Sequence, residues 1–505
     1  MNYTYLNNKA PNFSLALKSS LALKSSLALR AFTLSSLALS LIFATTPVAA
    51  KAKEKQAETK ASIGATASAT TKATPKVTET STPDSTINAT TKATTKVTKN
   101  VTKNGTTTSQ DRKAALREKS LTALASRLME KWDIPACQIA VGKNGKIIES
   151  RAFGFCDKEL KTKTTTDNVF RIASVSKVFT AAAVHKLIED DKLKYDDKAW
   201  TYISNLKPTY GENNIDPRWK QVTIAQLLTH SGGWTLENGE PQRIYARLAA
   251  DAAGESRPAC PSALVRYMMG KPLQYDPGTK SVYSNFGFNV LGRVIEQASG
   301  KHYFDYVRAN LLSPAGIEDI NLGRTARRHA RLNEVYYYAG KNSPDVWSLI
   351  DEDAEVADFA YGGDAAIESM DAHGGLVSSA ESLVKFGMAL NGYEKTASDG
   401  SKSRTALIKA ETLQSMLKPT NFKCEGKNTV RAYGVAVNTA RKPSFRWSHA
   451  GALCGTSSLL ISLPDNTVLA YTANHLPDDL VGYFTELQNS LLTEASSKRY
   501  QLKDK

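Results

Sequence analysis

The chain has 505 residues, of which 41% are hydrophobic and 23% are charged. This composition excludes a wholly disordered polyelectrolyte, and five cysteines in so long a chain exclude a scaffold built of disulfides. The net charge of +16 would favour a nucleic-acid partner if it lay on the folded part. However, residues 1–110 hold 14 Lys and Arg against 4 Asp and Glu, so ten of the sixteen charges lie there. We therefore expect no nucleic-acid partner.

Residues 1–50 predict an export signal peptide. Basic residues precede an apolar stretch that starts at Ala31, and the segment ends in Pro47-Val-Ala-Ala50, the small residues that signal peptidase requires. We expect cleavage after Ala50, a location in the periplasm or outside a bacterial cell, and no stable membrane span afterwards. An uncleaved anchor is the alternative, because Ala31–Ala50 is long enough to cross a bilayer.

Residues 51–110 predict a disordered linker. They are rich in Thr, Lys, Ala and Ser and contain almost no large apolar side chains. Such a segment cannot bury enough surface to offset its chain entropy. A cationic spacer is its simplest role, and loose contact with anionic envelope polymers is the other.

Residues 111–505 predict one folded domain with strands at both ends and helices between them. The main elements, in chain order, are a helix with Leu121, Leu124, Leu128 and Trp132 on one face, a hairpin turning at Asn144-Gly145, strands near 433–437, 457–463 and 468–472, and a helix over 479–495. These patterns predict an α/β fold. Its antiparallel sheet is built from residues 111–170 and 400–505 and flanked by helices, and residues 171–399 form an inserted, mostly helical lobe. A cleft between the two lobes would suit an active site.

Ser174-Val-Ser-Lys177 opens a helix predicted over about 178–192. Positions i and i+3 of a helix face the same way, so the Lys177 amine can reach the Ser174 hydroxyl and activate it as a nucleophile. The backbone N–H groups of the helix N-terminus suit a developing oxyanion. The same spacing recurs at Ser382-Leu-Val-Lys385, which we interpret as an ordinary surface turn of a helix.

Tyr283-Ser-Asn285 follows a turn and precedes another apolar-periodic helix. A tyrosine near an ammonium group can relay protons, and Asn285 could bind a substrate amide or position Lys177. A half-buried core tyrosine is the alternative interpretation of Tyr283.

His449-Ala-Gly451 leads into the C-terminal strands, where small residues would let a substrate lie along a strand edge. The backbone N–H of Ala452 would then be a second oxyanion donor, opposite that of Ser174. Two other His-x-Gly strings, at His230 and His373, are interpreted as tight turns that border the cleft. The histidines show no metal-ligand spacing, so no metal site is predicted.

In this order, Ser174-x-x-Lys177, Tyr283-x-Asn285 and His449-x-Gly451 resemble the motifs of the serine β-lactamase-related family. That family includes class C β-lactamases, D-alanyl-D-alanine carboxypeptidases, D-aminopeptidases and esterases. The resemblance covers about residues 115–495.

The resemblance implies acyl transfer on a small-molecule or peptide substrate without a cofactor. Ser174 would attack a carbonyl, while Lys177 and Tyr283 move the proton. The N–H groups of Ser174 and Ala452 would hold the oxyanion, and water would release the acyl group. Asn285, His449 and Gly451 would line the substrate site.

The third motif departs from the Lys-Thr-Gly of a typical β-lactamase. A histidine is a weaker fixed cation than lysine, and Ala450 lacks the hydroxyl that would bind a carboxylate. This favours an exported peptidase acting on cell-wall-type or D-amino-acid peptides. The alternatives are an esterase or β-lactamase of the same family, or a penicillin-binding sensor without turnover. Four arginines could bind acidic substrates or be plain surface charges: Arg243, Arg247, Arg257 and Arg266.

The five cysteines leave at least one thiol unpaired in an exported chain. Two disulfides are conceivable, Cys137 with Cys156 and Cys424 with Cys454. The sequence favours neither.

Overall fold

The structure is a computed structural model that describes residues 109–211, 215–235, 244–340, 348–351, 358–396, 399–424, 428–442 and 444–497. The predicted signal peptide (1–50) and nearly all of the predicted linker (51–110) lie outside these described residues. From Arg117 onwards the chain belongs to one compact unit. Among the described helices, none is both long enough and apolar enough to cross a membrane.

The described strands form one large antiparallel sheet and two small ones. They are β1 (Ala136–Lys143), β2 (Lys146–Asp157), β3 (Thr162–Lys163), β4 (Phe170–Arg171), β5 (Asn321–Leu322), β6 (Leu376–Ser378), β7 (Tyr393–Thr396), β8 (Lys402–Thr405), β9 (Thr429–Arg431), β10 (Ala436–Asn438), β11 (Trp447–Leu453), β12 (Thr456–Ser462) and β13 (Thr467–Ala473). The large sheet has the order β3-β2-β1-β13-β12-β11-β10-β9, and the small ones are β4-β6-β5 and β7-β8.

The large sheet joins the two ends of the folded chain. Strand β1 pairs with β13 in antiparallel register, with Cys137 opposite Ala473 and Lys143 opposite Thr467. Strand β1 also forms the predicted hairpin with β2, where Asn144 and Gly145 have φ values of 50° and 77°. Both values lie in the left-handed region that a tight hairpin turn requires. The predicted sheet from both chain ends is confirmed.

Helices cover both faces of the large sheet. In chain order they are α1 (Ser109–Trp132), α2 (Ser176–Glu189), α3 (Trp200–Ile203), α4 (Ile224–Leu228), α5 (Ile244–Ala253), α6 (Pro261–Met269), α7 (Asn285–Ser299), α8 (Tyr303–Val307), α9 (Ala380–Asn391), α10 (Ala410–Met416) and α11 (Leu480–Ala495). Short 3₁₀ and π turns connect several of them.

The alternation of side chains along each strand separates two apolar cores. On one face, Leu459 of β12 packs in a cluster with Leu128 of α1 and Leu487 of α11. On the other face, Leu460 packs in a larger cluster with Phe179 of α2 and helices α7 and α9. Helix α2, which follows the first Ser-x-x-Lys sequence, is thereby enclosed between the sheet and the middle helices.

Neither candidate disulfide is formed. Cys137, Cys156 and Cys424 are free thiols. Each candidate pair includes at least one of them, so neither disulfide is present. Burial raises the pKa of the Cys137 thiol to about 12, which keeps it protonated and unreactive.

Candidate active site

Ser174 lies in a 3₁₀ turn, Ala173–Val175, between strand β4 and helix α2. Its side chain is 6% exposed. Ala173 has φ of +44°, a left-handed conformation that is costly for a residue with a side chain. The sharp turn therefore needs support from outside its own sequence.

Two hydroxyl groups of β12 supply that support. Ser458 Oγ donates to the carbonyl oxygen of Ile172 at 2.7 Å, and Thr456 Oγ1 donates to that of Arg171 at 2.7 Å. Both carbonyls belong to the two residues that immediately precede the turn. The C-terminal sheet thus fixes the segment that leads to Ser174.

Lys177 lies on the first turn of α2 with its side chain fully buried. Its Nζ lies 3.1 Å from Ser174 Oγ, 2.5 Å from Asn285 Oδ1 and 2.8 Å from the carbonyl oxygen of His373. The predicted i, i+3 contact is therefore present. Three acceptors match the three N–H groups of an ammonium ion.

Tyr283 and Asn285 enter the site at the start of α7, where the Ser284 side chain caps the helix by accepting from the N–H of Gly287. The Tyr283 ring is buried and stacks on the ring of His230, with centroids 4.5 Å apart. Lys177 Nζ lies 4.9 Å from the centroid of the Tyr283 ring. The structure thus brings both predicted residues to Lys177.

His230 holds the Tyr283–Asn285 segment in place. Its Nδ1 accepts a hydrogen bond from the backbone N–H of Ser284 at 3.1 Å, which orients the residues on either side of Ser284. Burial, together with the positive charges of Arg431 and Lys177, holds the pKa of His230 well below its usual value. The sequence interpretation of His230 as turn architecture is incomplete, because its ring is part of the site wall.

Strand β11 carries the third motif. Gly451 lies opposite Ser458 of β12, and a Cβ at Gly451 would lie 2.3 Å from the carbonyl oxygen of Ile172 and 3.1 Å from the backbone nitrogen of Ser174. Such contacts are too close for a side chain, so only glycine lets β11 run against the turn that carries Ser174. Ala452 follows, half-buried and opposite Ser457.

His449 is buried and neutral. Its Nδ1–H donates to the carbonyl oxygen of Ala450 at 2.7 Å, and burial together with Lys177 lowers its pKa to about 3. This histidine therefore provides no positive charge near neutral pH. The sequence predicts that the histidine of His-Ala-Gly is a weaker cation than lysine. In the structure this position provides no cation, because the imidazole is uncharged.

A cation missed by the sequence reasoning lies at the same site. The Arg431 guanidinium carbon of β9 lies 5.7 Å from the centroid of the Tyr283 ring, and the residue is 9% exposed. Its Nε is buried and has no hydrogen-bond partner, and within the described residues no carboxylate forms an ion pair with the guanidinium. No local motif distinguishes Arg431 from the other arginines, so only the fold could identify it.

The second Ser-x-x-Lys sequence needs a partial correction. Ser382 and Lys385 belong to a helix, α9, as expected, but Ser382 is buried and only Lys385 reaches the surface. The Ser382 hydroxyl donates to Asp319, while Lys385 pairs with Glu381 at 3.0 Å. The two side chains therefore serve the packing and surface of α9.

Two of the four arginines considered for substrate binding are engaged in surface ion pairs. Arg257 pairs with Asp251 at 2.8 Å, and Arg266 pairs with Glu255 at 3.4 Å. Arg243 lies outside the described residues. Across the part of the chain that the structure describes, no group of three or more His, Cys, Asp or Glu side chains could hold a metal ion.

Comparison with known proteins supports the motif assignment at the level of the family. A family model described as Beta-lactamase matches residues 121–486. Penicillin-binding protein 4* of Bacillus subtilis is 24% identical over 389 residues, which are 75% of each chain. Protein flp of Staphylococcus aureus is 24% identical over 208 residues, 41% of this chain but only 39% of that protein.

Solved structures share the fold at lower identity. D-amino acid amidase of Ochrobactrum anthropi superposes with a TM-score of 0.56 and 22% identity, covering 75% of this chain and 97% of that one. EstCE1, a hydrolase with promiscuous acyltransferase activity, superposes with a TM-score of 0.55 and 18% identity, covering 74% and 98%. Such likenesses establish the architecture.

Proposed function

Because the chain belongs to the beta-lactamase family, we propose that it is a serine hydrolase that works through an acyl-enzyme on Ser174. The observation that carries the proposal is the 3.1 Å contact between Lys177 Nζ and Ser174 Oγ in a buried environment. A buried amine beside a hydroxyl is the arrangement that nucleophilic catalysis by serine requires.

Lys177 is the base in this proposal. When its amine is neutral, two N–H groups donate to Asn285 Oδ1 and to the carbonyl oxygen of His373, and the lone pair points at Ser174 Oγ. The serine proton then moves to Nζ as Oγ attacks the substrate carbonyl. Tyr283, beside the same amine, passes the proton on to the leaving group.

The oxyanion forms where the Ala173–Val175 turn, which carries Ser174, meets β11. The backbone N–H of Ser174 is one proposed donor to the oxyanion. The second is the N–H of Ala452, which directly follows Gly451, and Gly451 approaches the Ser174 nitrogen closely. Two fixed donors at this point would stabilise the tetrahedral intermediate without reorganisation. Water then cleaves the acyl-enzyme.

We propose that the substrate is a cell-wall-type or D-amino-acid peptide that carries a carboxylate. Arg431 supports this choice, because it is a largely buried cation beside Tyr283 with no carboxylate partner among the described residues. A substrate carboxylate would provide the bidentate partner that a guanidinium favours. Arg431 would thereby provide the positive charge that neutral His449 does not supply.

An esterase acting on uncharged substrates is the second candidate. The neutral His449 and the missing hydroxyl at Ala450 favour it, since the third motif then offers no carboxylate anchor of its own. A matched pair of substrates separates the candidates: a peptide ending in free D-alanine and the same peptide as its C-terminal amide. A peptidase that uses Arg431 prefers the free acid, and Arg431→Gln abolishes that preference while the amide is cleaved as before.

Labelling with a fluorophosphonate tests the mechanism directly. We expect intact mass to rise by one adduct, peptide mapping to locate it on Ser174, and Ser174→Ala to prevent it. Full hydrolytic activity in Ser174→Ala would overturn the acyl-enzyme proposal. A burst of product without turnover would instead indicate a penicillin-binding sensor.

We also propose that the protein is exported and acts in the periplasm or outside the cell, on the basis of the apolar stretch and small residues that end at Ala50. N-terminal sequencing of protein recovered from fractionated cells tests this. A mature chain starting at Lys51 supports it, and an unprocessed cytoplasmic chain contradicts it.

A further inference from the structure

Two fully buried polar side chains near Lys177 have no role in the proposed acyl transfer. His373 and Asn289 are both 0% exposed. Neither ring nitrogen of His373 and neither amide atom of Asn289 has a hydrogen-bond partner in the described part of the chain. Buried polar groups are almost always paired with protein or with ordered water, so these four atoms require an explanation.

The two residues belong to the two elements that line one seam, helix α7 and the segment Asp371–His373. At one end, Asn285 of α7 and the carbonyl of His373 accept from the same Lys177 amino group. At the other end, Arg293 of α7 pairs with Asp371 at 2.5 Å. The helix and the segment therefore run side by side over two helical turns.

Asn289 occupies the middle of this seam. It lies four residues after Asn285 and four before Arg293, so all three share one helix face. The two backbones approach closely nearby, since a Cβ at Gly292 would lie 2.7 Å from the Cβ of Ala372. Asn289 is thus enclosed between the Lys177 end and the Arg293 end.

The electrostatic surroundings keep the His373 ring uncharged. Burial and the positive charges of Lys177 and Arg293 hold its pKa well below the usual value. A neutral imidazole offers one donor and one acceptor, and the Asn289 amide offers two donors and an acceptor. A water molecule, which donates two hydrogen bonds and accepts two, complements both side chains.

Solvent reaches the far end of the seam. Arg293 and Glu296 line a surface cavity of about 720 Å³, and Arg293 itself is 5% exposed. This end of the seam therefore borders a surface cavity.

We propose that His373 and Asn289 hold ordered water between Lys177 and the Arg293–Asp371 ion pair, and that they are positioning residues for Lys177. The water fixes the His373 ring, and with it the peptide carbonyl that accepts an N–H of Lys177. A fixed carbonyl directs the remaining lone pair of the amine to Ser174 Oγ. This role rests on the proposed function, whereas the water site does not.

A crystal structure of the protein at about 1.5 Å resolution tests the water site first. The expected result is at least one solvent peak within hydrogen-bonding distance of both His373 and Asn289. Direct contact between the imidazole and the amide, with no solvent peak, would overturn the proposal. This readout is independent of activity, so it stands even if Ser174 proves not to be the nucleophile.

Kinetics test the positioning role. His373→Leu and Asn289→Leu keep much of the side-chain volume but remove the polar atoms, and we expect each to lower kcat for a neutral nitrophenyl ester about tenfold with KM little changed. His373→Gln, which retains a donor and an acceptor, should restore most of kcat. The double leucine variant should lose no more than either single variant, because all three lack the same water.

Tyr306→Phe is the matched control, because the Tyr306 hydroxyl is also buried without a partner in the described residues but lies on α8, outside the seam. Its kcat should equal that of the wild type. Circular dichroism confirms that each variant is folded before its rate is compared. Folded leucine variants with wild-type kcat would overturn the positioning role, while failure of fluorophosphonate labelling would overturn the proposed function instead.

Discussion

The molecule contains the same four-residue pattern twice, and its two copies have different surroundings. Ser174 and Lys177 contact each other at 3.1 Å, and the lysine is fully buried. Ser382 and Lys385 each contact a different carboxylate, and the Lys385 side chain is 41% exposed. Both serines are buried near the start of a helix, so neither burial nor helical position distinguishes them.

The difference lies in what the rest of the fold brings to each lysine. Around Lys177 the acceptors are an amide, a peptide carbonyl and a serine hydroxyl, none of which carries a charge. Around Lys385 the acceptor is the negatively charged Glu381 carboxylate, at 3.0 Å. A Ser-x-x-Lys sequence therefore predicts proximity only, and the neighbouring groups decide whether the amine can act as a base.

Removing the two serines should give the largest contrast. We expect Ser174→Ala to lower kcat/KM by at least about 10⁴-fold, since it deletes the proposed nucleophile. Ser382→Ala should leave kcat/KM unchanged and lower only the midpoint of thermal unfolding, because it removes the hydrogen bond to Asp319. Comparable losses of activity in two folded variants would show that the copies are not distinct in function.

The two lysines provide the next contrast. Lys177→Met should lower kcat/KM about 10³-fold, because it removes the proposed base but leaves the serine in place. Lys385→Met removes a surface pair with Glu381 and should not change the rate. Steady-state hydrolysis of a neutral ester measures both variants. A Lys177→Met enzyme with wild-type activity would contradict its role as base.

A glycine pair tests whether close approach to the first copy matters. Gly451→Ala places a methyl group against the Ile172 carbonyl. It should lower kcat/KM about 10²-fold, because it displaces the turn that carries Ser174. Gly287→Ala is the control, because its methyl group would make ordinary contacts from 3.6 Å outwards. Crystal structures or near-ultraviolet dichroism establish whether the loss comes from local displacement.

Acid sensitivity should give the smallest contrast. The pKa of folded His449 is about 3, so below pH 6.5 the unfolded chain binds a proton that the folded chain does not, and stability falls as the pH falls. Between pH 6.5 and 5, His449→Gln should reduce this loss of unfolding free energy by about 2 kcal/mol. Guanidinium unfolding at both pH values measures it, with Ser382→Ala as the control. An unchanged pH dependence in His449→Gln would show that His449 is not buried as a neutral ring.

Much of the fold and of the site follows from local sequence. The Asn144-Gly145 turn and the alternating strands beside it predict the hairpin because their conformations are dictated locally. The Ser174, Tyr283 and His449 motifs are brought together as the family resemblance implies. Each of these signals is contained within a few neighbouring residues.

Other parts of the site depend on contacts that no short pattern encodes. Arg431 reaches Tyr283 only because an edge strand of the sheet lies beside the start of α7. His373 accepts a hydrogen bond from Lys177 through its backbone carbonyl, which every residue type possesses. Burial of Ser382 depends on Asp319, far away in sequence. Long-range packing, rather than residue type, determines these contacts.

The pairing of β1 with β13 also has a consequence for the order in which the candidate site is assembled. The backbone N–H of Ala136 donates to the side chain of Asn474, which is 338 positions later. Strand β12, which braces the Ser174 turn, lies in the chain between β11, which starts at Trp447, and β13, which ends at Ala473. During synthesis, Ser174 and Lys177 therefore emerge long before the strands that hold them. Contacts so distant in sequence form slowly. A nascent or truncated chain would carry the complete Ser-x-x-Lys sequence, yet Ser174 and Lys177 would lack their surrounding contacts until the last strands have folded.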